Sequence, residues 1–499
     1  MALAGRVNPW TAQICFWNDE SFSWAVARAP LPEVPAMVAE DTHPPGHYVL
    51  LHLWIRIFGD SIFSMRLLSG LFSTAAVLLA YLAARHGFAF KQGEGSRELA
   101  FVAGLLCALN PACASTAYMA RMYAMLMFGT MLSVLGCVLI FRTPERLAAW
   151  VTWAIGALIS VYSHNYGLFV VAGELTWLAG AVVVNARMRT GRVVRMFALS
   201  AGAVVLCYLP WVPFLLGQAR RVSGGFWIPP LKWEAVAGFG AQLFTEPISV
   251  LTSPPLNRPL IALATILIGL FVVIPWFGAA IEWLFLMLLL THAAAIIVTT
   301  KILHQSIFEV RYLLHLVPLA MINLASRPFV IYGRPLRRCV HAIFVFVVGI
   351  AGISALATRT PAGEAILEAA EWLIGRVQPE DLVIGDGQCY FRLKYYLEHF
   401  GVNVPLTAYA PYVAQRNERL VVYAPALVRA GALTSLDGLR HRRIWTVASL
   451  RSALAMVTLP GYRRKQTRVL YDVGCADEHS VVVSLWVRES APGSVASLR

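Results

Sequence analysis

The sequence predicts an all-α polytopic membrane protein with a small α/β domain outside the membrane at its C-terminal end. Three observations predict it. Of the 499 residues, 58% are hydrophobic and 14% are charged, against about 45–50% and about 25% in soluble domains. The apolar residues come in unbroken runs of about 20, enough for a helix to cross about 30 Å of hydrocarbon. The runs do not alternate, which excludes a β-barrel and leaves helices. After about residue 360 the composition turns soluble. Three segments follow: 1–60, an outer-face loop with an interfacial helix; 61–358, a transmembrane helical domain; and 359–499, an extramembrane α/β domain.

Residues 1–45 read as a polar loop rich in Pro and Trp, and Met1–Trp10 carries no cleavable signal peptide. His47 to Phe58 is apolar but short, and suits a helix lying in the interface. Apolar runs follow at roughly 62–84, 98–117, 122–141, 147–163, 167–185, 194–216, 259–275, 280–300, 312–326 and 339–357, about ten spans. The 217–257 loop is long and carries Trp227, Pro229, Pro230 and Trp233; loops of that length tend to be functional. In the last segment, 381–386, 420–423, 443–447 and 480–487 read as strands and 391–400 as a helix, an α/β alternation.

The net charge of +14 does not point to nucleic acid, because most Arg and Lys lie in loops between apolar runs. There they set topology and meet anionic lipid head groups. The basic loops hold Arg85, Lys91 and Arg97; Arg142 and Arg146; Arg187, Arg189, Arg192 and Arg195; and Arg327, Arg334, Arg337 and Arg338. They alternate with less basic loops, so they are expected to be cytoplasmic. The chain is then integral to the inner membrane, with 1–60 and the C-terminal domain on the outer, periplasmic side. On that side Cys389 and Cys475 sit where a disulfide is permitted, and whether they pair depends on their separation. The eight cysteines show no CxxC or His/Cys metal spacing. No cofactor is expected, and a divalent ion would bind only if folding brought the acids together.

The residues that carry chemistry gather at the expected outer face. Asp19 and Glu20 are adjacent carboxylates, and a carboxylate in reach of an acceptor hydroxyl can take its proton. A phosphate leaving group needs no proton, only cations to hold its charge. Candidate cations are Arg66, Arg121, Lys301 and Arg311, with His43 and His164; arginine is favoured for bidentate phosphate contact. Each has a plainer reading: Asp19 and Glu20 as acids at a helix start, His43 as a turn residue, Arg66 as a snorkelling side chain, Arg121 and Tyr123 as interfacial anchors. Glu174, inside a span, is either a buried site or a hydrogen-bonded structural group, and Glu282 reads as structural.

The motifs Trp17-Asn18-Asp19-Glu20, His43-Pro44-Pro45, Phe58-Gly59-Asp60 and Arg66-Leu67-Leu68-Ser69 occur in this order. Ala120-Arg121-Met122-Tyr123, Tyr162-Ser163-His164-Asn165-Tyr166-Gly167 and Glu309-Val310-Arg311-Tyr312 follow. Over roughly residues 15–330 the chain resembles glycosyltransferase family 39, the polyprenyl- and dolichyl-phosphate-mannose protein mannosyltransferases, and their bacterial relatives, including aminoarabinose transferases. The resemblance implies the multi-span GT-C fold and transfer of a sugar from a polyprenyl-phosphate donor to a lipid, glycan or protein acceptor on the outer face. It makes Asp19 the catalytic or acceptor-binding carboxylate, with Glu20 as its partner, and sets Arg66 and Arg121 near the donor. Aminoarabinose transferases usually have Lys where this chain has His43. The family carries a span ahead of its Asp-Glu motif that residues 1–15 do not supply, so either the start lies upstream or that helix is lost. The alternatives are a transporter or lipid flippase, against which the absence of internal repeats counts, and a non-catalytic partner subunit.

Overall fold

Nine of the ten apolar runs read from the sequence fold as helix, and the tenth, 259–275, lies almost wholly outside the described residues. The computed structural model describes residues 15–88, 94–226, 228–230, 272–275, 278–331, 333–357, 364–411, 424–450, 452–471 and 480–489. Contacts divide the chain into two units, one containing Pro30–Arg359 and the other Ala12–Ala29 with Thr360–Arg499. The first helix among the described residues, α1 (Asn18–Arg28), therefore belongs to the C-terminal unit. The sequence had grouped it with 30–60 as one loop region.

The helical unit begins with α2 (Glu33–Ala39), α3 (Gly46–Phe58) and α4 (Ile62–Gly87). Helices therefore stand at 18–28 and 33–39 where a polar loop was expected. The prolines at 30, 32 and 35 hid them, yet Phe22, Trp24, Val34 and Val38 supply buried faces. α4 starts at Ser61, whose hydroxyl accepts from the Ser64 amide at 3.2 Å, the usual N-cap contact. α5 (Glu94–Leu109) and α6 (Pro111–Ser115) form one apolar segment bent by 57°. The bend has a local cause: Pro111 cannot continue the ladder, and the Asn110 side chain caps the new helix by accepting from the Cys113 amide at 3.1 Å.

Next come α7 (Tyr123–Arg142), α8 (Leu147–Ser163), α9 (Gly167–Val184), α10 (Gly191–Tyr208) and α11 (Val212–Ser223). After the undescribed stretch follow α12 (Ala280–Leu303), a 3-10 turn at Val310–Leu316, α13 (Val317–Ser326), α14 (Pro328–Ile331) and α15 (Arg334–Ala357). Five helices among the described residues are long and apolar enough to cross a bilayer, and the bent α5–α6 pair would make six. The others expected from the sequence are shorter, as at Leu147–Ser163 and Val310–Ser326, or do not meet that measure.

α7 is the central helix, buried on nearly every side. It meets α8 through glycines. A Cβ on Gly156 would lie 2.3 Å from the Ser133 amide, and one on Gly136 would lie 2.5 Å from that of Trp153. Such close backbone approach is typical of helix contacts in membranes. Glu174 of α9 joins the same place. The Ser133 hydroxyl donates to its Oε1 at 2.6 Å and the Trp153 indole to its Oε2 at 3.0 Å. Both carboxyl oxygens have partners, so Glu174 is a structural group that ties α9 to α7 and α8. Glu282 is structural too: it pairs with Arg327, both fully buried, and caps its own helix by accepting from the Ala279 amide.

The C-terminal unit contains α16 (Glu364–Leu373), β1 (Leu382–Asp386), α17 (Tyr390–His399), β2 (Leu406–Tyr409), α18 (Ala424–Arg429), β3 (Arg443–Ser449), α19 (Ala453–Met456), β4 (Tyr462–Leu470) and β5 (Val481–Arg488). The sheet order is β2-β1-β3-β5-β4, with β1 parallel to β2 and β3, and β5 antiparallel to β3 and β4. All five residues of β1 are buried. Asp386 ends it by accepting from the amides of Gln388 and Cys389 with one oxygen and Ser449 with the other, which fixes β1 to β3. The predicted strand at 420–423 lies outside the described residues, as do Trp227, Trp233 and Cys475. Cys389 is buried and unbridged. β4 went unread because Arg463, Arg464, Lys465 and Arg468 look like a loop; they are exposed on an edge strand, where charge discourages pairing with another sheet.

The α7–α8 contact yields a test. Gly156→Ala and Gly136→Ala should each destabilise the detergent-solubilised protein by about 1–3 kcal/mol, the usual cost of overpacking. Thermal unfolding measures it, and unchanged melting in both variants would mean that the two helices need no close approach.

Candidate functional site

The Ser163–Gly167 turn between α8 and α9 is the centre of the site in the helical unit. Gly167 lets it close: a Cβ there would lie 2.2 Å from the Ser160 carbonyl. His164 points inward and is 2% exposed. Its Nδ1 accepts from the Tyr166 amide at 3.1 Å, so the proton of the neutral ring is assigned to Nε2. Nε2 is buried and has no hydrogen-bond partner among the described residues. The neighbouring residues hold the turn in place, Asn165 donating to the Thr42 carbonyl at 2.9 Å and the Tyr166 hydroxyl to that of Ile307 at 2.7 Å.

The Pro44-Pro45 segment brings His43 against this turn. Its ring centroid is 5.0 Å from that of His164, and its Nδ1 is likewise buried without a partner among the described residues. Gln218 of α11 fixes the segment, donating to the carbonyls of Val38 and His43 at 3.1 Å each. Gly46 allows close contact, since a Cβ there would lie 2.6 Å from the Tyr162 carbonyl. Tyr312 packs on His164 with centroids 4.6 Å apart, and Tyr123, at the start of α7, is 6.1 Å from each of these two rings.

Two cations complete the cluster. Arg121 donates to the Tyr48 hydroxyl at 3.1 Å, and Arg311 lies 3.6 Å from Glu309. Both act on the imidazoles. Burial first, then Arg121 and Arg311, hold His164 down from its usual 6.5 to about 3. His43 is lowered by burial, then by His164, Arg121, Arg311 and His47. Burial raises Glu309, and Arg311 opposes that. The imidazoles are therefore neutral near pH 7, and two guanidinium groups set a positive field around them. Buried polar atoms without partners are uncommon in folded proteins, and a donor such as His164 Nε2 amid cations suits an anion.

His43, Arg121, Tyr123, His164 and Arg311 of the predicted residues thus gather in one cluster. Arg66 is buried near the start of α4, and Lys301 is exposed near the end of α12. Asp19 and Glu20 belong to the other unit, on the first turn of α1. There Glu20 is buried and its Oε2 accepts from the Trp17 amide at 3.0 Å, so Glu20 caps its helix. Asp19 is half-buried. Sequence reasoning missed Tyr48, Gln218 and Tyr312 as parts of the cluster. Tyr312 lay inside a quoted motif, whereas Gln218 had no local signal, because its role is to bind carbonyls 175 and 180 residues away. No three His, Cys, Asp or Glu side chains gather as a metal site among the described residues.

No protein-family model and no curated protein sequence matches the chain. Solved structures do match. ArnT from Cupriavidus metallidurans in the apo state superposes with a TM-score of 0.56 at 14% identity, over 97% of this chain and 95% of that one. The chain has the GT-C fold. The same ArnT bound to undecaprenyl phosphate gives 0.55 at 14% identity, over 97% and 96%. The apo Archaeoglobus fulgidus oligosaccharyltransferase gives 0.52 at 12%, over 90% of this chain and 69% of that one.

The buried imidazoles make stability pH-dependent. A histidine whose folded pKa is depressed stays neutral in the fold while the unfolded chain takes up its proton. His164 therefore costs nothing above about pH 6.5 and destabilises the fold progressively as pH falls from there towards 3. His164→Gln should show a shallower loss of melting temperature between pH 6.5 and 4 than the parent; an equal slope would mean that His164 is not buried neutral.

Proposed function

We propose that the protein is a membrane glycosyltransferase that moves a sugar from a polyprenyl-phosphate donor to a lipid, glycan or protein acceptor. The observation that carries this reading is the buried cluster in which His43 and His164 present ring nitrogens without partners among the described residues, beside Arg121 and Arg311. Its chemistry fits a phosphate. ArnT, which shares the fold, has been solved with undecaprenyl phosphate bound. The order of the sequence motifs supports a place near glycosyltransferase family 39 within the GT-C superfamily.

In this mechanism Asp19 accepts the proton of the acceptor hydroxyl. The acceptor oxygen bonds to the anomeric carbon as the bond from that carbon to the phosphate oxygen breaks. The lipid phosphate leaves as an anion, needing no protonation, and the His43–His164–Arg121–Arg311 cluster and Arg66 hold its charge. Glu20, as a helix cap, keeps the turn that carries Asp19 in shape. The reaction takes place on the outer face of the inner membrane, an orientation that rests on the basic loops at 85–97, 142–146, 187–195 and 327–338.

Transfer from a radiolabelled polyprenyl-phosphate sugar to native membrane acceptors tests the chemistry. Asp19→Asn should lower turnover roughly 10²–10⁴-fold, the usual share of a general base. Arg121→Ala and Arg311→Ala should raise the donor KM, and Lys should restore it only in part, because a point charge does not replace a bidentate fork. Full transfer by Asp19→Asn would refute its role as base.

Orientation has a separate test in a cysteine-less background. Arg463→Cys, on the exposed edge strand β4, should react with a membrane-impermeant maleimide in intact cells once the outer barrier is permeabilised. Arg189→Cys should react only after lysis. The reverse pattern would move the site to the cytoplasm.

A further inference from the structure

We infer that α17 of the C-terminal unit is the element that positions Asp19, with Tyr396 as the key positioning residue. The inference rests on the reading of Asp19 as the base. α1 has 11 residues, a length at which a helix in water is marginal without packing. Its own capping contact is the one from the Trp17 amide to Glu20. Long-range support comes from α17. The Phe16 amide donates to the Tyr396 hydroxyl at 2.7 Å, inside the protein. The Phe16 ring lies 4.5 Å from Tyr395, and Trp24 meets the same ring edge-on at 5.3 Å. Phe22 packs against Phe391 at 6.1 Å, and Arg28 pairs with Glu398. Asp19 thus has anchors on both sides, at 16 and at 22 to 28, all made to α17.

α17 is itself braced. Tyr395 stacks on His399 at 3.9 Å, and Tyr396 stacks on Phe400. The row therefore sets both the axial position and the rotation of α1, and with them the direction in which Asp19 leaves the helix. A displacement of about 1 Å in a reacting group can cost about 10²-fold in rate. The hydrogen bond from Phe16 matters most because it lies three residues, less than one helical turn, from the carboxylate, where a shift transfers to Asp19 almost undiminished. In this view the C-terminal domain is part of the catalytic apparatus of the full chain, holding a base contributed by the other end of the sequence.

The test uses the full-length protein in the transfer assay. Tyr396→Phe removes one hydroxyl and keeps the ring. It should lower kcat about tenfold or more while the donor KM stays within about twofold, as expected of a group acting through orientation. Placed on Asp19→Asn, it should lower the residual rate no further, because residues acting as a unit are non-additive. Phe16→Leu, which removes the ring contact to Tyr395 and keeps an apolar side chain, should behave in the same way and serves if Tyr396→Phe folds poorly. Parental kcat in both variants, or a further loss on the Asp19→Asn background, would overturn the inference. An Asp19→Asn protein with full activity would instead remove the reading on which it rests.

Discussion

The crossing of α7 and α8 is the contact on which the helical unit depends. Gly136 and Gly156 remove the side chains that would hold the two backbones apart. At the same level Ser133 and Trp153 turn their polar atoms to Glu174 of α9, so one buried carboxyl locks three helices. Helices in lipid gain little from hydrophobic association, because the tails are as apolar as the side chains. Close packing and a satisfied polar group take its place. The crossing also fixes where α8 ends, and the turn that follows carries His164 to the start of α7, beside Tyr123. The geometry of the cluster is thus inherited from a contact made deeper in the bundle.

A contrast between two kinds of buried polar group sharpens the assignment. Glu174 and Glu282 have partners on both oxygens, from Ser133, Trp153, Arg327 and the Ala279 amide. His43 and His164 each keep a ring nitrogen without one among the described residues. The first pattern belongs to groups that hold a fold together. The second leaves polar capacity unspent, which is uncommon in a folded interior.

Much of this was legible in the sequence, and for a physical reason: length and apolarity of a run are local properties. They marked nine helical stretches, three of them broken into more than one element, and the motif order singled out His43, Arg121, Tyr123, His164 and Arg311, which lie together. The strands β1, β3 and β5 were readable because they are apolar and buried. β4 was not, since an exposed edge strand has no apolar pattern to read, and neither was α1, whose buried face is interrupted by Ser21, Ser23 and Ala25. The partnership of α1 with α17 was invisible for a stronger reason. It joins Phe16 to Tyr396 across 380 positions, and no local pattern encodes a contact of that range. Gln218 escaped notice in the same way.

The division of the chain into a helical unit and a C-terminal unit that reclaims residues 12–29 has a consequence for how the protein is made. A ribosome releases α1 first and α17 only after more than three hundred further residues. At about 5–20 residues per second, α1 waits on the order of tens of seconds for the surface it packs on. Meanwhile Phe16, Phe22 and Trp24, buried in the finished protein, are uncovered while the hydrophobic helices are being threaded into the bilayer. The newborn N-terminal segment must be shielded or parked for that interval. A chain cut short before α17 would therefore leave Phe16, Phe22 and Trp24 without the aromatic partners they meet on that helix.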